Sequence, residues 1–200
     1  LMERLGRKQG LIRRHLMGKR VEYMMRSVIT GDSRLEIDQV GIPLIHAQNL
    51  EIPEKVTTFN YEYLLKFYNN GADVYPGCKR IQKAGSDNIY LRRLLTDYKL
   101  QIGDTIYRDM ITGDYICFNR QPSLLFTNIA GMRVVVMPTG NTLRINPAVA
   151  QPFFNADFDG DQMNSIVPQC LFARNEAMLI SRVSRWFVSP QNHAPLIGAF

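Results

Sequence analysis

Residues 155–164 read Asn-Ala-Asp-Phe-Asp-Gly-Asp-Gln-Met-Asn, so three aspartates occupy alternate positions of one short stretch. Alternate side chains of an extended chain point to the same side. A bend at Gly160, which has no Cβ to clash, lets Asp157, Asp159 and Asp161 turn toward one point. Three converging carboxylates repel one another unless a cation lies between them. Because every ligand atom is an oxygen, the pattern predicts a site for a hard ion such as Mg²⁺.

The aspartate stretch has two rival interpretations. A calcium loop of the EF-hand type needs Gly at position 6 and a bidentate Glu at position 12. Counted from Asp157, these positions hold Gln162 and Pro168, which excludes the calcium loop. An exposed acidic turn stays open on the spacing alone, although the small and apolar flanks are not typical of an acidic surface run.

The composition is that of an ordinary globular chain. The 200 residues are 46% hydrophobic and 21% charged, which suffices for one domain with a core. No apolar run approaches the ~20 residues of a membrane span, and no signal-peptide pattern is present, so we expect no membrane partner. Cys78, Cys117 and Cys170 form no Cys-x-x-Cys pair. Their isolation argues against a disulfide framework or a zinc site and favours a reducing, intracellular setting.

The net charge of +6 is concentrated at one end of the chain. Residues 1–26 hold eight basic side chains against two glutamates, which accounts for the whole excess, and the rest is neutral on balance. Such asymmetry predicts contact with a polyanion, with a solvated helix face as the alternative. The basic residues are Arg4, Arg7, Lys8, Arg13, Arg14, Lys19, Arg20 and Arg26.

Short strands dominate the predicted secondary structure. β-branched residues and turn residues predict strands at 26–43 (broken at Gly31-Asp32), 89–94, 105–111, 115–119, 132–137 and 142–146. The strands at 105–111 and 115–119 are expected to form a hairpin across residues 112–114. Helices are predicted from Pro53, from Asn60 to about residue 70, and over 172–182. Many strands with few helices favour a β-barrel or a sandwich, and the pattern alone does not choose between them.

The stretch 155–161 resembles the signature of the largest subunit of multi-subunit DNA-dependent RNA polymerases. Other stretches are similar to the same family and follow in its order. Two of them, at 35–43 and 75–79, look like the eukaryotic and archaeal branch. The similar stretches are 16–20, 26–32, 35–43, 75–79, 119–124 and 189–192.

The chain departs from the family pattern in places. Leu125 stands where the family usually has His, Leu11 where a basic residue is usual, and Arg14 where a small residue is common. Residues 60–70 and 98–116 match only in outline. This divergence suggests a fast-evolving lineage such as that of a large cytoplasmic DNA virus.

The resemblance implies a mainly β fold with helical insertions, built on a double-psi β-barrel. The barrel carries the aspartate loop, residues 155–161. Three regions are expected from the resemblance. Residues 1–26 would be a basic switch- or lid-like segment leading out of the clamp, and residues 27–170 the catalytic barrel domain. Residues 171–200 would be a helix and the start of a truncated following segment, because neither Leu1 nor Phe200 looks like a natural terminus.

The resemblance also implies a chemistry, which is templated nucleotidyl transfer to an RNA 3′ end. Asp157, Asp159 and Asp161 would be catalytic and hold one Mg²⁺, while a second Mg²⁺ would arrive with the nucleoside triphosphate. Arg120 and Asn155 would bind the substrate sugar; a surface ion pair for Arg120 and a simple turn cap for Asn155 stay open. The residues expected to contact template or hybrid phosphates are Lys8, Arg13, Lys19, Arg20 and Arg26.

The expected partners are the second-largest polymerase subunit, other polymerase subunits, the DNA template, the RNA–DNA hybrid and nucleoside triphosphates. The expected location is the nucleus, or the host cytoplasm or virion for a viral protein. Two other functions remain open on the residues alone. One is a nucleic-acid-binding module with a structural Mg²⁺. The other is a metal-dependent nuclease, although no His lies near residues 157–161 to act as a general base.

Overall fold

The structure is a computed structural model that describes residues 10–12, 16, 18, 20–95, 97–190 and 193–197. The strands are β1 (Met24–Gly31), β2 (Gln39–Pro43), β3 (Glu51–Lys55), β4 (Cys78–Gln82), β5 (Ile89–Leu91), β6 (Thr105–Asp109), β7 (Tyr115–Asn119), β8 (Ile129–Met137), β9 (Leu143–Ile145) and β10 (Gln162–Ile166). The α-helices are α1 (Leu44–Asn49), α2 (Tyr61–Asn70), α3 (Pro147–Phe154) and α4 (Leu171–Leu179). Short 3₁₀ turns lie at Arg92–Leu94, Phe126–Asn128 and Val183–Arg185.

Six strands close into a barrel in the order β1-β10-β7-β8-β2-β9. The pairs β1–β9 and β2–β8 are parallel, and the other neighbours run antiparallel. Closure leaves the barrel without a free edge, so every strand is held on both sides. The prediction of a mainly β fold with helical insertions and a double-psi β-barrel is confirmed.

Helix α3 packs its aromatic end into the barrel core. Phe153 and Phe154 are buried, and the Phe154 ring meets the Phe118 ring of β7 edge-on at 5.5 Å between centroids. Met163 lies in β10, which follows the three aspartates, and is fully buried in the same core. The residues on both sides of the aspartate stretch are therefore anchored in the barrel interior.

A second sheet, in the order β3-β6-β4-β5, is formed by the part of the chain between β2 and β7 and has its own core. Helix α2 covers it with Leu64, Phe67 and Tyr68, which pack against Ile81 and Ile106. The helix predicted after Asn60 is thus confirmed. The Asn60 side chain caps no helix N–H and instead accepts the backbone N–H of Thr57.

The predicted hairpin of 105–111 with 115–119 is wrong. Both strands exist, but β6 pairs with β3 and β4, whereas β7 pairs with β8 and β10. The buried Arg108 donates to both Asp114 and Glu54, and the Asp114 carboxylate also accepts the N–H of Ile111. These side-chain contacts turn the chain from one sheet into the other, so that no ladder forms across the turn.

The helix predicted from Pro53 is also wrong. Pro53 lies in β3, which is an edge strand of the second sheet. An edge strand tolerates a residue without an N–H because one side of its backbone has no ladder partner. The helix predicted over 172–182 exists but ends at Leu179. Sequence patterns did not predict α1, α3, β4 or β10.

The expected domain boundaries at residues 26 and 170 stay predictions. Strand β1 begins at Met24 and therefore runs across the first of them. No helix in the described ranges is long and apolar enough to cross a membrane.

We expect Gly131→Ala to destabilise the chain by about 2–3 kcal/mol, the upper part of the range for overpacking a core. A Cβ at Gly131 in β8 would overlap the backbone carbonyl of Ala177 in α4, and backbone cannot turn aside. Gly41→Ala is the matched control in β2, because its new Cβ would meet side-chain atoms of Met137 and Arg144 rather than backbone. The control should lose less stability than Gly131→Ala, since side chains can shift where backbone cannot. Chemical denaturation of the three proteins measures this, and equal losses would contradict the role of α4.

Candidate functional site

The aspartate loop begins where α3 ends. Asn155 adopts the left-handed conformation with φ 51°, a conformation that Asn tolerates better than most residues. Its N–H donates to the carbonyl of Gln151 at 2.9 Å, and the N–H of Ala156 donates to the carbonyl of Ala150 at 2.9 Å. Asn155 therefore ends the helix through its backbone and leaves its side chain exposed.

The far end of the loop is held by the barrel. Gly160 has φ 116°, which only glycine adopts readily, and the chain turns there into β10. The N–H of Ile29 in β1 donates to the carbonyl of Asp161 at 3.0 Å, and Val28 pairs with Gln162 in the next step of the ladder. The bend predicted at Gly160 is thus present, and it is fixed to strand β1.

The structure brings the three aspartates together. Asp157, Asp159 and Asp161 each offer a carboxylate oxygen, and these oxygens lie within 4.8 Å of one another. Asp157 and Asp159 are exposed, and Asp161 is half-buried. In the part of the chain that the structure describes, no other group of three or more His, Cys, Asp or Glu side chains converges in this way. Convergence on three oxygens fits a hard divalent cation.

The three carboxylates are electrostatically unequal. A hydrogen bond with Asp159, together with the negative charge of Asp159 and Asp161, raises the pKa of Asp157 above its usual value. The hydrogen bond from Arg120 lowers the pKa of Asp161, and the N–H of Asp157 supports that carboxylate at 3.3 Å. The cluster therefore resists full ionisation at Asp157 and favours it at Asp161.

Arg120 contacts the loop directly. Its Nε donates to Oδ2 of Asp161 at 2.8 Å, across 41 positions of sequence, and its side chain is 19% exposed. In the described ranges its two Nη groups have no hydrogen-bond partner. Arg120 and Asn155 thus lie at opposite ends of the aspartate loop, Arg120 beside Asp161 and Asn155 before Asp157.

Two buried asparagines hold the Arg120 turn, Asn119 from the similar stretch 119–124 and Asn128, which the sequence did not single out. Nδ2 of Asn119 donates to the carbonyl of Asn128 at 2.8 Å and to Oγ of Ser123 at 2.6 Å. The N–H of Arg120 donates to the same carbonyl of Asn128 at 3.1 Å. Asn is common in turns of many kinds, so the sequence carried no specific signal for the role of Asn128.

An open pocket of about 320 Å³ lies between α3 and the loop. Gln151, Asn155 and Asp157 supply its polar atoms, and Phe158 closes one side. The Phe158 ring lies over the Cα side of Gly31, where a Cβ would meet it, but keeps 43% of its surface exposed. The pocket therefore adjoins the carboxylate cluster and combines amide groups with an aromatic wall.

The basic segment is described in part. Lys8, Arg13 and Lys19 lie outside the described residues, so their predicted phosphate contacts stay predictions. Arg20 is exposed. Arg26 lies on β1 beside the site, where its Nε donates to Oε1 of Gln162 at 2.9 Å.

Comparison with known proteins agrees with the resemblance seen in the sequence. Residues 18–183 match the family model of RNA polymerase Rpb1, domain 2. The chain is 41% identical over 201 residues to the DNA-directed RNA polymerase RPB1 homolog of African swine fever virus, an alignment that covers 99% of the chain and 14% of that protein. It is 44% identical over 200 residues to DNA-directed RNA polymerase subunit 1 of Acanthamoeba polyphaga mimivirus, covering 95% of the chain and 13% of that protein. The chain spans about a seventh of the length of these relatives.

We expect Arg120→Met to raise the pKa of Asp161, because the guanidinium that stabilises the ionised carboxylate is gone. The pair should stabilise the folded chain above the ordinary carboxyl range and lose that effect as the pH falls through the lowered pKa. Carboxyl ¹³C NMR titration in the presence of a chelator measures the shift. Arg34→Met is the control, since Arg34 pairs with Asp32. An Asp161 titration that is the same in all three proteins would refute the pairing.

Proposed function

The chain belongs to the RNA polymerase Rpb1, domain 2 family, and we propose that it is the catalytic-core fragment of a DNA-directed RNA polymerase largest subunit. The proposed reaction is attack of an RNA 3′-hydroxyl on the α-phosphate of a nucleoside triphosphate, directed by a template, with pyrophosphate leaving. The observation that supports this most directly is the convergence of three carboxylate oxygens within 4.8 Å on a loop fixed to the barrel.

The residues fit Mg²⁺ as the resident ion. All the donors are carboxylate oxygens, and the raised pKa of Asp157 reports a repulsion that a cation would offset. Asp157, Asp159 and Asp161 would hold one ion, and a second would come with the triphosphate. When bound, such ions supply charge stabilisation to the attacking and leaving oxygens. No protein nucleophile is needed for this transfer.

The chain's own residues would orient the substrate. Arg120 is fixed by Asp161 through Nε, which leaves its Nη donors for the ribose hydroxyls of the incoming nucleotide. Asn155 presents an exposed amide from the other end of the loop, in the wall of the pocket that contains Asp157. Together they would read the 2′-hydroxyl that distinguishes ribonucleotides from deoxyribonucleotides.

The remaining proposals concern partners and setting. We propose that the fragment works only when it is assembled with the second-largest subunit and other polymerase subunits on a DNA template and RNA–DNA hybrid. Lys8, Arg13, Lys19, Arg20 and Arg26 would contact backbone phosphates, which position nucleic acid without reading its sequence. Because the relatives compared above come from viruses, the proposed location is the host cell or the virion.

Asp159→Ala should abolish Mg²⁺-dependent RNA synthesis by the assembled polymerase, because the cluster loses one of its three ligands. The fold should remain, since the substitution removes one of three repelling charges. Synthesis on a primed template and a denaturation curve measure the two effects. Asp87→Ala, at an exposed aspartate of the second sheet, is the control and should retain synthesis. Near-normal synthesis by Asp159→Ala would refute the proposed metal site.

Arg120→Ala and Asn155→Ala should each weaken the preference for ribonucleotides by about 1–3 kcal/mol, the cost of losing hydrogen bonds to a hydroxyl. Template binding should change less. The measurement compares kcat/KM for matched ribo- and deoxyribonucleotides in the assembled polymerase. Arg93→Ala and Asn88→Ala serve as controls, because both residues are exposed, Arg93 in the 3₁₀ turn Arg92–Leu94 and Asn88 in the connection between β4 and β5. An unchanged ratio in both test variants would place sugar recognition elsewhere.

A further inference from the structure

Arg26 makes two contacts that link different parts of the site. From the outer side of β1 its Nε donates to Oε1 of Gln162 at 2.9 Å, and its Nη1 donates to Oε1 of Gln121 at 3.4 Å. Gln162 directly follows Asp161, and Gln121 directly follows Arg120. One guanidinium therefore holds the residue after each member of the Arg120–Asp161 ion pair.

The strand arrangement explains how one side chain reaches both residues. Strand β10 lies between β1 and β7, and Asn164 is the register partner of both Arg26 and Asn119. Met25 and Met163 point into the barrel core, so the alternation of a strand places Arg26, Gln162 and Asn164 on the outer face. The Arg26 side chain thus extends from β1 over the outer face of β10 toward Gln121, which follows the end of β7.

The surface beneath Arg26 is polar. Asn164 is 4% exposed, and its Oδ1 accepts no hydrogen bond from any described residue. The Arg26 bridge adds side-chain contacts to both segments, which are also joined by the β7–β10 ladder and by the Arg120–Asp161 ion pair itself.

We propose that Arg26 is a positioning residue, which acts through Gln162 and Gln121 to hold the Arg120–Asp161 pair in place. This inference rests on the proposed function, in which Asp161 holds the ion and Arg120 reads the ribose. It is separate from the phosphate contact proposed above, because Nε and Nη1 of Arg26 are directed to side chains of the same protein. Loss of the bridge would disturb metal and ribose recognition together, while contact with the nucleic-acid backbone would be affected less.

The test is a double-mutant cycle in the assembled polymerase with Arg26→Met, Gln162→Met and the two combined. Each single variant should lower the ribonucleotide preference by about threefold to tenfold, the scale of one solvent-exposed hydrogen bond. The combined variant should lose little more than Arg26→Met alone, because Arg26→Met already removes the contact to Gln162. Gln162→Glu keeps an acceptor for Arg26 and should behave like the wild-type protein.

A second measurement does not depend on activity. The affinity of the aspartate cluster for Mn²⁺, followed by electron paramagnetic resonance, should fall in both single variants, at least as much in Arg26→Met as in Gln162→Met, and the combined variant should match Arg26→Met. Arg20→Met is the matched control, since Arg20 is also a basic residue of the segment but contacts neither glutamine. It should change only the salt dependence of hybrid binding, with a slope shallower by about one unit.

The outcomes are separable. Additive effects, or normal Mn²⁺ affinity and sugar preference in Gln162→Met, would overturn the positioning role and leave Arg26 as a phosphate contact. If Arg120→Ala leaves the sugar preference unchanged, the proposed function of Arg120 fails, while the Mn²⁺ cycle still decides the role of Arg26. If Arg26→Met does not assemble, Arg26→Lys replaces it, because an ammonium keeps the charge but cannot span both glutamines.

Discussion

Repulsion among the three carboxylates is the constraint on which this structure depends. Asp157, Asp159 and Asp161 converge within 4.8 Å, and an unsupported loop would relax by spreading them apart. The barrel prevents this at both ends, since α3 is anchored in the core before the loop and β10 enters the strand ladder directly after it. The N–H of Ile29 fixes the carbonyl of Asp161 from a third direction. A rigid closed sheet is therefore what allows the chain to maintain a cluster that is unfavourable by itself.

Closure of the barrel also determines which distant residues can help. Strands β1, β10 and β7 are neighbours, so residues far apart in sequence meet at one rim. Arg120 comes from the end of β7 and Arg26 from β1, and both reach the residues at the start of β10. The two arginines thus come from the strands on either side of β10, although both precede the aspartates by a long distance in sequence. This arrangement depends on strand order and would be lost in an open sheet with β10 at its edge.

The sequence predicted the parts of the structure that follow from local chemistry. Alternating aspartates around a glycine indicated the convergent cluster, and β-branched runs indicated most barrel strands. Long-range electrostatics was not predictable in this way. The Arg108–Glu54 contact between β6 and β3 and the Arg120–Asp161 pair each need the folded sheets to bring the partners together. Pro53 shows a related limit, because whether Pro begins a helix or occupies an edge strand depends on the sheet beside it. Family resemblance predicted the barrel type, which the strand pattern alone left undecided between barrel and sandwich.

The unequal environments of the aspartates indicate how the cluster can bind a cation and still hold Arg120. Asp161 is kept ionised by Arg120, which lowers its pKa, so one ligand is ready for a metal without further cost. Asp157 is the opposite case, since its neighbours raise its pKa and a cation would favour its ionised form. If Arg120 were drawn further into the cluster, its charge would compete with the metal for all three carboxylates. The contact is confined to Nε and to one oxygen of Asp161, which leaves the other carboxylates to the ion. Any group that fixes the position of Arg120 therefore also sets how much of the cluster's negative charge remains available to a metal.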